Sequence, residues 1–211
     1  MVGGFLLPDN ILTINGLDEE TLRALSFKTG LGKSLKNSFH HFEKAELLSD
    51  VISMSEWYDM CGDISRLPLD YRVKSPDSIV NKYERYESAN RPVNKVFNDI
   101  LGFRVLCDDY EELFKIESTT LKVVDMSKGK SIDDGYRGVH IYYQLDNFHY
   151  PIEIQFNTFL DRQLNNWLHD FLYKKDYPAK IGFTVRLYYE DGKIKNLTDF
   201  KEVLEYVLSG C

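Results

Sequence analysis

The 211-residue sequence predicts an α/β (α+β) domain in which a mixed β-sheet is flanked by helices, behind a helical N-terminal part. Three observations predict it. Apolar residues recur near helical spacing through the first third of the chain, β-branched and aromatic segments bounded by Gly, Asp and Asn begin near Phe103, and helical stretches separate those segments.

Asp18, followed by Glu19 and Glu20, is a helix cap, and Leu17, Leu22, Leu25, Leu35, Phe39, Phe42, Leu47, Val51 and Ile52 recur behind it. Residues 18 to about 64 are therefore expected to be mostly helix, broken near Gly30 and Gly32. Leu69 to Lys74 is an extended piece. Ser75-Pro76-Asp77 then starts a helix, with a serine cap and proline in the first helical position, that runs to about Glu87. Strands are expected at Phe103 to Cys107, Leu121 to Asp125, Val139 to Leu145 and Tyr150 to Phe156, with a short helix from Asp109 to Ile116. Phe159 to Lys174 is helical. The tail is expected to form a hairpin, Gly182 to Tyr189 with Lys193 to Leu197 around Asp191-Gly192, and then a helix capped by Thr198. This makes one domain over 1–211: a helical part over 1–64, a core over 65–175, and the hairpin and helix over 176–211.

Composition excludes several classes. No apolar run approaches the ~20 residues that cross a bilayer, and the start has neither a basic stretch nor a small-residue cleavage site, so a cytoplasmic protein without membrane contact is expected. Cys61, Cys107 and Cys211 are odd in number and unevenly spaced, which suits free thiols. A net charge of -7 argues against a protein that coats nucleic acid non-specifically and leaves room for a local basic groove.

Four segments carry chemistry. Arg72 and Lys74 are two apart on an extended piece and point the same way, while Ser78, Lys82 and Arg85 share one face of the next helix; cations converging on a helix start suit phosphate. Asp99 precedes a strand that carries Arg104, a pairing suited to Mg²⁺ bridging phosphates. Asp133-Asp134-Gly135-Tyr136-Arg137-Gly138-Val139-His140 bends around an exposed aromatic that can stack a base, with Arg137 and His140 available to phosphates. Finally, Ile152, Ile154 and Phe156 alternate with Glu153, Gln155 and Asn157, whose polar side chains share the opposite face.

Taken in order, Arg72-x-Lys74-x-x-x-Ser78-Ile79-x-x-Lys82-x-x-Arg85, Asp99-x-x-Gly102-x-Arg104, Gly135-Tyr136-Arg137-x-x-His140, Glu153-Ile154-Gln155-x-x-Thr158 and His169 with Tyr173-Lys174 resemble the RelA/SpoT-type alarmone synthetases over roughly residues 65 to 175. The resemblance implies a nucleotidyltransferase-like fold and transfer of the β,γ-pyrophosphate of ATP to a ribose 3′-hydroxyl, leaving AMP. It implies that Arg72, Lys74, Ser78, Lys82 and Arg104 hold ATP, that Asp99 binds Mg²⁺, and that Glu153 shares the metal or deprotonates the attacking oxygen. Tyr136 would stack the acceptor base, with Arg137, His140 and Gln155 beside it.

Departures from the family pattern bear on the acceptor. Members that use GDP or GTP usually carry Pro-Lys two residues before Gly-Tyr, where this chain has Ile132, with Lys128 and Lys130 displaced upstream; they also commonly read Arg where it has Asn157. Each lost charge-assisted contact is typically worth ~1.5 to 3 kcal/mol, so a free polyphosphate nucleotide is held less well. The predicted hairpin tail is a third departure, from the long helical extension of housekeeping synthetases. In these respects the chain is similar to the toxic small alarmone synthetases, which modify the 3′-terminal adenosine of tRNA and stop translation. Lys28, Lys33, Lys36 and Lys44 in front, and Lys174, Lys175, Lys180 and Arg186 behind, are the cations expected along a tRNA groove. A (p)ppGpp synthetase using GDP or GTP is the alternative; an adenine nucleotide acceptor and a catalytically dead binding module are further ones. His169-Asp170 does not continue into a hydrolase pattern, so a toxic product implies a separate neutralising partner such as an antitoxin.

Overall fold

Helix starts are the most literal part of the sequence in the computed structural model, which describes residues 11–35, 43–91, 96–175 and 177–210. Helix α1 (Ile11–Ile14) is followed by α2 (Glu19–Ala24), where Asp18 accepts the Thr21 N–H. Helix α3 (Lys44–Met60) buries Leu47, Val51, Met54 and Tyr58. Strand β1 (Asp70–Val73) leads into α4 (Pro76–Ser88), with Ser75 accepting the Ser78 N–H and proline in the first turn, as the sequence predicts. Strands β2 (Leu101–Leu106), β3 (Leu121–Asp125), β4 (Val139–Tyr143) and β5 (Ile152–Asn157) then alternate with turns, and a 3₁₀ helix, Glu111–Lys115, stands between β2 and β3. Helix α5 (Phe159–Leu168), capped by Thr158, continues into a π-helical turn, His169–Tyr173. Helices α6 (Ala179–Glu190) and α7 (Leu197–Ser209) complete the chain.

The five strands form one mixed sheet in the order β1-β2-β5-β4-β3, flanked by helices. Strand β1 runs antiparallel to β2, with Arg72 opposite Gly102 and Asp70 opposite Arg104. On β2 the side chains of Leu101, Phe103 and Val105 are buried, so Gly102 and Arg104 lie on the other face. No described helix is long and apolar enough to cross a membrane.

Among the described residues the break expected near Gly30 and Gly32 extends over 26–35, which form turns and a bridge from Lys28 to His149. Bonds to residues distant in the chain shape it. The Asp50 carboxylate accepts the Thr29 hydroxyl at 2.7 Å and the Gly30 N–H at 2.8 Å, and Thr29 N–H donates to Phe148 O at 2.8 Å.

The tail holds no β-hairpin. Ile181, Gly182, Val185 and Arg186 are buried at i, i+1, i+4 and i+5, the period of a helix. Asp191-Gly192 ends that helix: Gly192 has φ +72°, its N–H donates to Tyr189 O, and Lys193 N–H donates to Tyr188 O. That pairing is the left-handed helix stop for which glycine is suited. The following cap is Asn196, whose side chain accepts the Thr198 and Asp199 N–H groups, in place of the expected Thr198. The tail therefore supplies no hairpin by which to set the chain apart from its resemblance.

The described residues divide into two compact units. One is drawn from Met1–Val105, Glu111–Val123 and Ile141–Gln155, the other from Leu106–Tyr110, Val124–His140 and Phe156–Cys211. The buried residues of the first include Ile79, Val96, Phe97, Phe103, Ile141 and Ile154. The second has its own core, in which Leu164, Leu168, Leu172, Ile181, Val185, Ile194, Phe200 and Leu204 pack together. Each such large side chain contributes about 1.5 to 3 kcal/mol on burial.

Candidate active site

In the first unit, Arg72, Asp99, Gly102, Arg104, Glu153 and Gln155 line one small cleft of about 40 Å³. Strand register explains the grouping. Arg72 pairs with Gly102, Arg104 lies two residues on along the same face, and β5 beside β2 supplies Glu153 and Gln155. A Cβ on Gly102 would stand 3.7 Å from Glu153 Oε2, in ordinary contact with that carboxylate on the cleft.

Two lysines hold Asp99. Lys74 Nζ is 2.6 Å from Oδ2 and Lys82 Nζ is 3.0 Å from Oδ1. Lys74 is 4% exposed, its carbonyl accepts the Ser55 hydroxyl at 2.6 Å, and burial pushes its ammonium down to about 8 against the opposing pull of Asp99. Glu153 is also buried; it accepts Tyr142 Oη–H at 2.8 Å on Oε1 and the Gln155 amide at 2.7 Å on Oε2. Arg72, Lys74, Lys82 and Arg104 thus stand against two carboxylates, Asp99 and Glu153. That surplus of positive charge on an acidic protein suits a polyphosphate.

A hard divalent cation takes oxygen ligands and keeps several waters or phosphate oxygens, so two carboxylates on one cleft fit Mg²⁺. The described residues contain no cluster of three or more His, Cys, Asp or Glu that would hold a metal by themselves. His169 and Asp170 are exposed and 3.2 Å apart, and Lys174 Nζ lies 3.5 Å from the same Asp170 oxygen.

In the second unit, the segment from Asp133 to His140 is tied down by hydrogen bonds along its length. Tyr173 Oη–H donates to Asp134 O at 3.1 Å, Arg186 Nε to Gly135 O at 2.8 Å, and Arg137 Nη1 to Tyr136 O at 2.9 Å. Arg137 O accepts the amides of Asn165 at 2.7 Å and Asn157 at 2.8 Å. Tyr136 Oη is 2.6 Å from His140 Nε2, the two rings meeting edge to face, and Lys130 Nζ stands 4.8 Å from the Tyr136 ring centre while pairing with Asp134 at 2.7 Å.

The structure therefore groups Arg72, Asp99, Arg104, Glu153 and Gln155 on the cleft and ties Lys74 and Lys82 to it through Asp99. Gln155, expected on the acceptor side, belongs to this cleft. Ser78 is engaged at the α4 start, 2.9 Å from the Ser75 hydroxyl. Tyr136 and His140 are paired, but Arg137 is buried and bonds both Asp133 oxygens at 2.8 and 3.0 Å, so its guanidinium serves the segment. Asn157 is likewise buried, at 1% exposure, against Arg137 O.

Lys28 and Lys33 are exposed in the turn region of the first unit; Lys36 lies outside the described residues. Lys44 pairs with Glu87 at 3.0 Å. Arg186, expected among the groove cations, is buried at 1% exposure and bonds Asp161 at 2.8 Å, which removes it from any nucleic-acid surface. Cys61 and Cys107 are free thiols, and Cys211 lies outside the described residues. Sequence reasoning missed Tyr142, although alternation along Val139–Tyr143 puts His140 and Tyr142 on one face.

Residues 71–177 match the family described as the region found in RelA / SpoT proteins. None of the curated proteins matches the chain. Among solved structures the chain is similar to the small alarmone synthetase 1 of Bacillus subtilis bound to its product pppGpp, at 22% identity over 70% of this chain and 84% of that one, with a TM-score of 0.39. It is also similar to the small alarmone synthetase 2 of Bacillus subtilis, at 20% identity over 79% and 85% with a TM-score of 0.36. A GTP pyrophosphokinase family protein of Streptococcus pneumoniae matches at 20% identity over 76% and 96%, with a TM-score of 0.39.

Proposed function

Because the chain belongs to the RelA/SpoT family, we propose that it is a pyrophosphokinase that moves the β,γ-pyrophosphate of ATP to the ribose 3′-hydroxyl of an acceptor and releases AMP. One observation carries this reading: Arg72, Asp99, Arg104, Glu153 and Gln155 converge on a single cleft. At about 40 Å³ the cleft is far smaller than the ~300 Å³ of an ordinary ligand pocket. It suits a hydrated cation and one phosphoryl group, with the rest of the nucleotide lying outside it.

Arg72 and Arg104 bind donor phosphates. Lys74 and Lys82 join them when they turn from Asp99, and Ser78 stands at the start of the helix that carries Lys82. Asp99 and Glu153 are the residues that would hold Mg²⁺, which when bound neutralises phosphate charge. Glu153 takes the proton of the 3′-hydroxyl, and Tyr142 and Gln155 orient its carboxylate. Positioning and charge neutralisation supply most of the rate in such a transfer.

For the acceptor, the reading is the 3′-terminal adenosine of tRNA, stacked on Tyr136 beside His140. Position 132 carries an isoleucine, 75% exposed, and position 157 a buried amide, so neither offers a cation to a free 5′-polyphosphate. Lys28 and Lys33, with Lys36, are the lysines assigned to the tRNA backbone. Such a product arrests translation in the cytoplasm, and a neutralising partner goes with it. A second reading, GDP or GTP as acceptor, is favoured by Lys130, which folds back over the Tyr136 ring and restores a cation to that segment.

The test is labelled ATP incubated with deacylated tRNA, GDP, GTP or ATP. Label on tRNA alone supports the first reading and label on GDP or GTP alone the second. No transfer to any of the four removes the pyrophosphokinase reading.

A further inference from the structure

Helix α6 lies outside residues 71–177, yet it holds the segment that carries Tyr136. Gly182 and Arg186 are one turn apart on α6, and both are buried. A Cβ on Gly182 would collide with Asp134 O of the segment, and one on Gly135 with Gly182 O, so both positions need glycine for the two backbones to approach. A glycine inside a helix is less favourable than alanine, a cost the close approach explains.

Arg186 then uses its guanidinium on three partners. Nε donates to Gly135 O at 2.8 Å, Nη1 to Asp161 Oδ1 at 2.8 Å and Nη2 to Asn165 Oδ1 at 3.1 Å. Asp161 is itself oriented, since its other oxygen accepts the hydroxyls of Tyr110 at 2.7 Å and Thr158 at 2.9 Å. Asn165 is oriented too, because the Arg137 N–H also donates to its oxygen and its amide donates to Arg137 O. Burial pushes the Arg186 guanidinium below its ordinary range and Asp161 opposes that push. Filling the space needs only an apolar side chain; what the guanidinium adds is three donors fixed in one plane.

We infer that Arg186 is a positioning residue for the acceptor. It fixes the carbonyl one residue before Tyr136 and, through Asn165, the peptide one residue after it, and so sets the pitch of the ring between them. The inference rests on the reading that Tyr136 stacks the acceptor base.

The experiment compares Arg186→Lys with Tyr136→Ala in the full chain, using deacylated tRNA, or GDP if that takes the label. Lysine keeps the charge and loses the fork. The KM for the acceptor is expected to rise roughly tenfold, with KM for ATP and kcat held within about threefold and the melting temperature within a few degrees. An unchanged acceptor KM, or an equal rise for ATP and acceptor, overturns the inference. If Tyr136→Ala also leaves the acceptor KM unchanged, the stacking premise has failed and the inference with it; if Tyr136→Ala raises it and Arg186→Lys does not, Arg186 alone was misread. Should Arg186→Lys fail to fold, Asp161→Asn leaves the arginine in place and weakens the charge that orients it. It should then raise acceptor KM by a smaller factor, again without affecting ATP, and no rise overturns the inference.

Discussion

Lys74 Nζ lies 2.6 Å from Asp99 Oδ2, and even with this partner burial holds its ammonium at about 8. The folded chain gives up this proton near pH 8, whereas an unfolded lysine keeps it to about 10.4. Stability contributed by the site therefore rises with pH between those values, because the unfolded state binds more protons there. ATP affinity runs the other way, since the phosphates need the cation. The KM for ATP should climb above pH 8, by at most about tenfold per unit. Lys74→Arg, charged throughout, should flatten that rise, and an ATP KM independent of pH in wild type would take Lys74 out of the phosphate site.

Asp99→Asn should abolish transfer with the fold intact, because one carboxylate fewer weakens Mg²⁺ where triphosphate charge is neutralised. It also leaves Lys74 and Lys82 without the carboxylate between them, which removes the pull that opposes the effect of burial on Lys74. Activity within a few-fold of wild type at equal thermal stability removes Asp99 from the chemistry.

Glu153→Gln should keep ATP binding and lose turnover, since an amide preserves the shape but accepts no proton and shares no metal. Tyr142→Phe removes only the hydroxyl that orients Oε1 and should lower kcat by a smaller factor. Titration of ATP binding beside single-turnover rates separates these effects, and normal turnover in Glu153→Gln refutes both roles of the carboxylate.

Gly102→Val tests the cleft by filling it. Gly102 lies opposite Arg72 on a paired strand and its φ is outside the left-handed region, so a β-branched residue is compatible with the backbone. Side-chain atoms beyond a Cβ already 3.7 Å from Glu153 Oε2 enter the cleft. Melting should change little while ATP KM rises at least about tenfold; unaltered ATP kinetics would mean that the donor binds elsewhere.

Tyr136→Ala should reduce acceptor use by roughly one to two powers of ten, because stacking on an aromatic is worth ~1 to 3 kcal/mol per base. ATP binding should be untouched. Tyr136→Phe keeps the ring and loses the 2.6 Å contact to His140 Nε2, so a large loss in that variant assigns a positioning role to the hydroxyl. Acceptor and donor KM values measured side by side give the answer.

Helix caps and strand alternation were legible because their causes are local. Ser75-Pro76 starts α4 and Asp18 starts α2 where the sequence says so, and Leu121–Asp125 is a strand with the bounds expected. Alternation on β5 puts Glu153 and Gln155 on one face before any tertiary contact is known, while the grouping of Arg72, Asp99 and Arg104 with them was implied by the resemblance and not by local pattern. What stayed hidden depends on partners distant in sequence. Asp191-Gly192 is a hairpin signal and a helix stop alike, and only burial of Val185 and Arg186 on one helical face decides between them. Arg186 itself looks like a groove cation until Asp161, 25 residues away, is seen beside it. The break near Gly30 and Gly32 was legible, but its spread over 26–35 follows from Asp50 and Phe148, which claim the donors of Thr29 and Gly30.

The bonds around Tyr136 also limit what its neighbours can recognise. Gly135 N–H donates to Asp133, Tyr136 N–H to Asp134, Arg137 N–H to Asn165 and Gly138 N–H to Met126 O. Each amide has one hydrogen, and all four are spent within the fold. A base resting on the tyrosine would thus meet no main-chain donor from this stretch, and a π-surface accepts purines and pyrimidines alike. Such a shelf grips without reading. Choice between adenine and guanine then falls to side chains beyond the stretch or to the remainder of the acceptor molecule, and a single substitution at Tyr136 should change how tightly nucleobases are held far more than which of them is preferred.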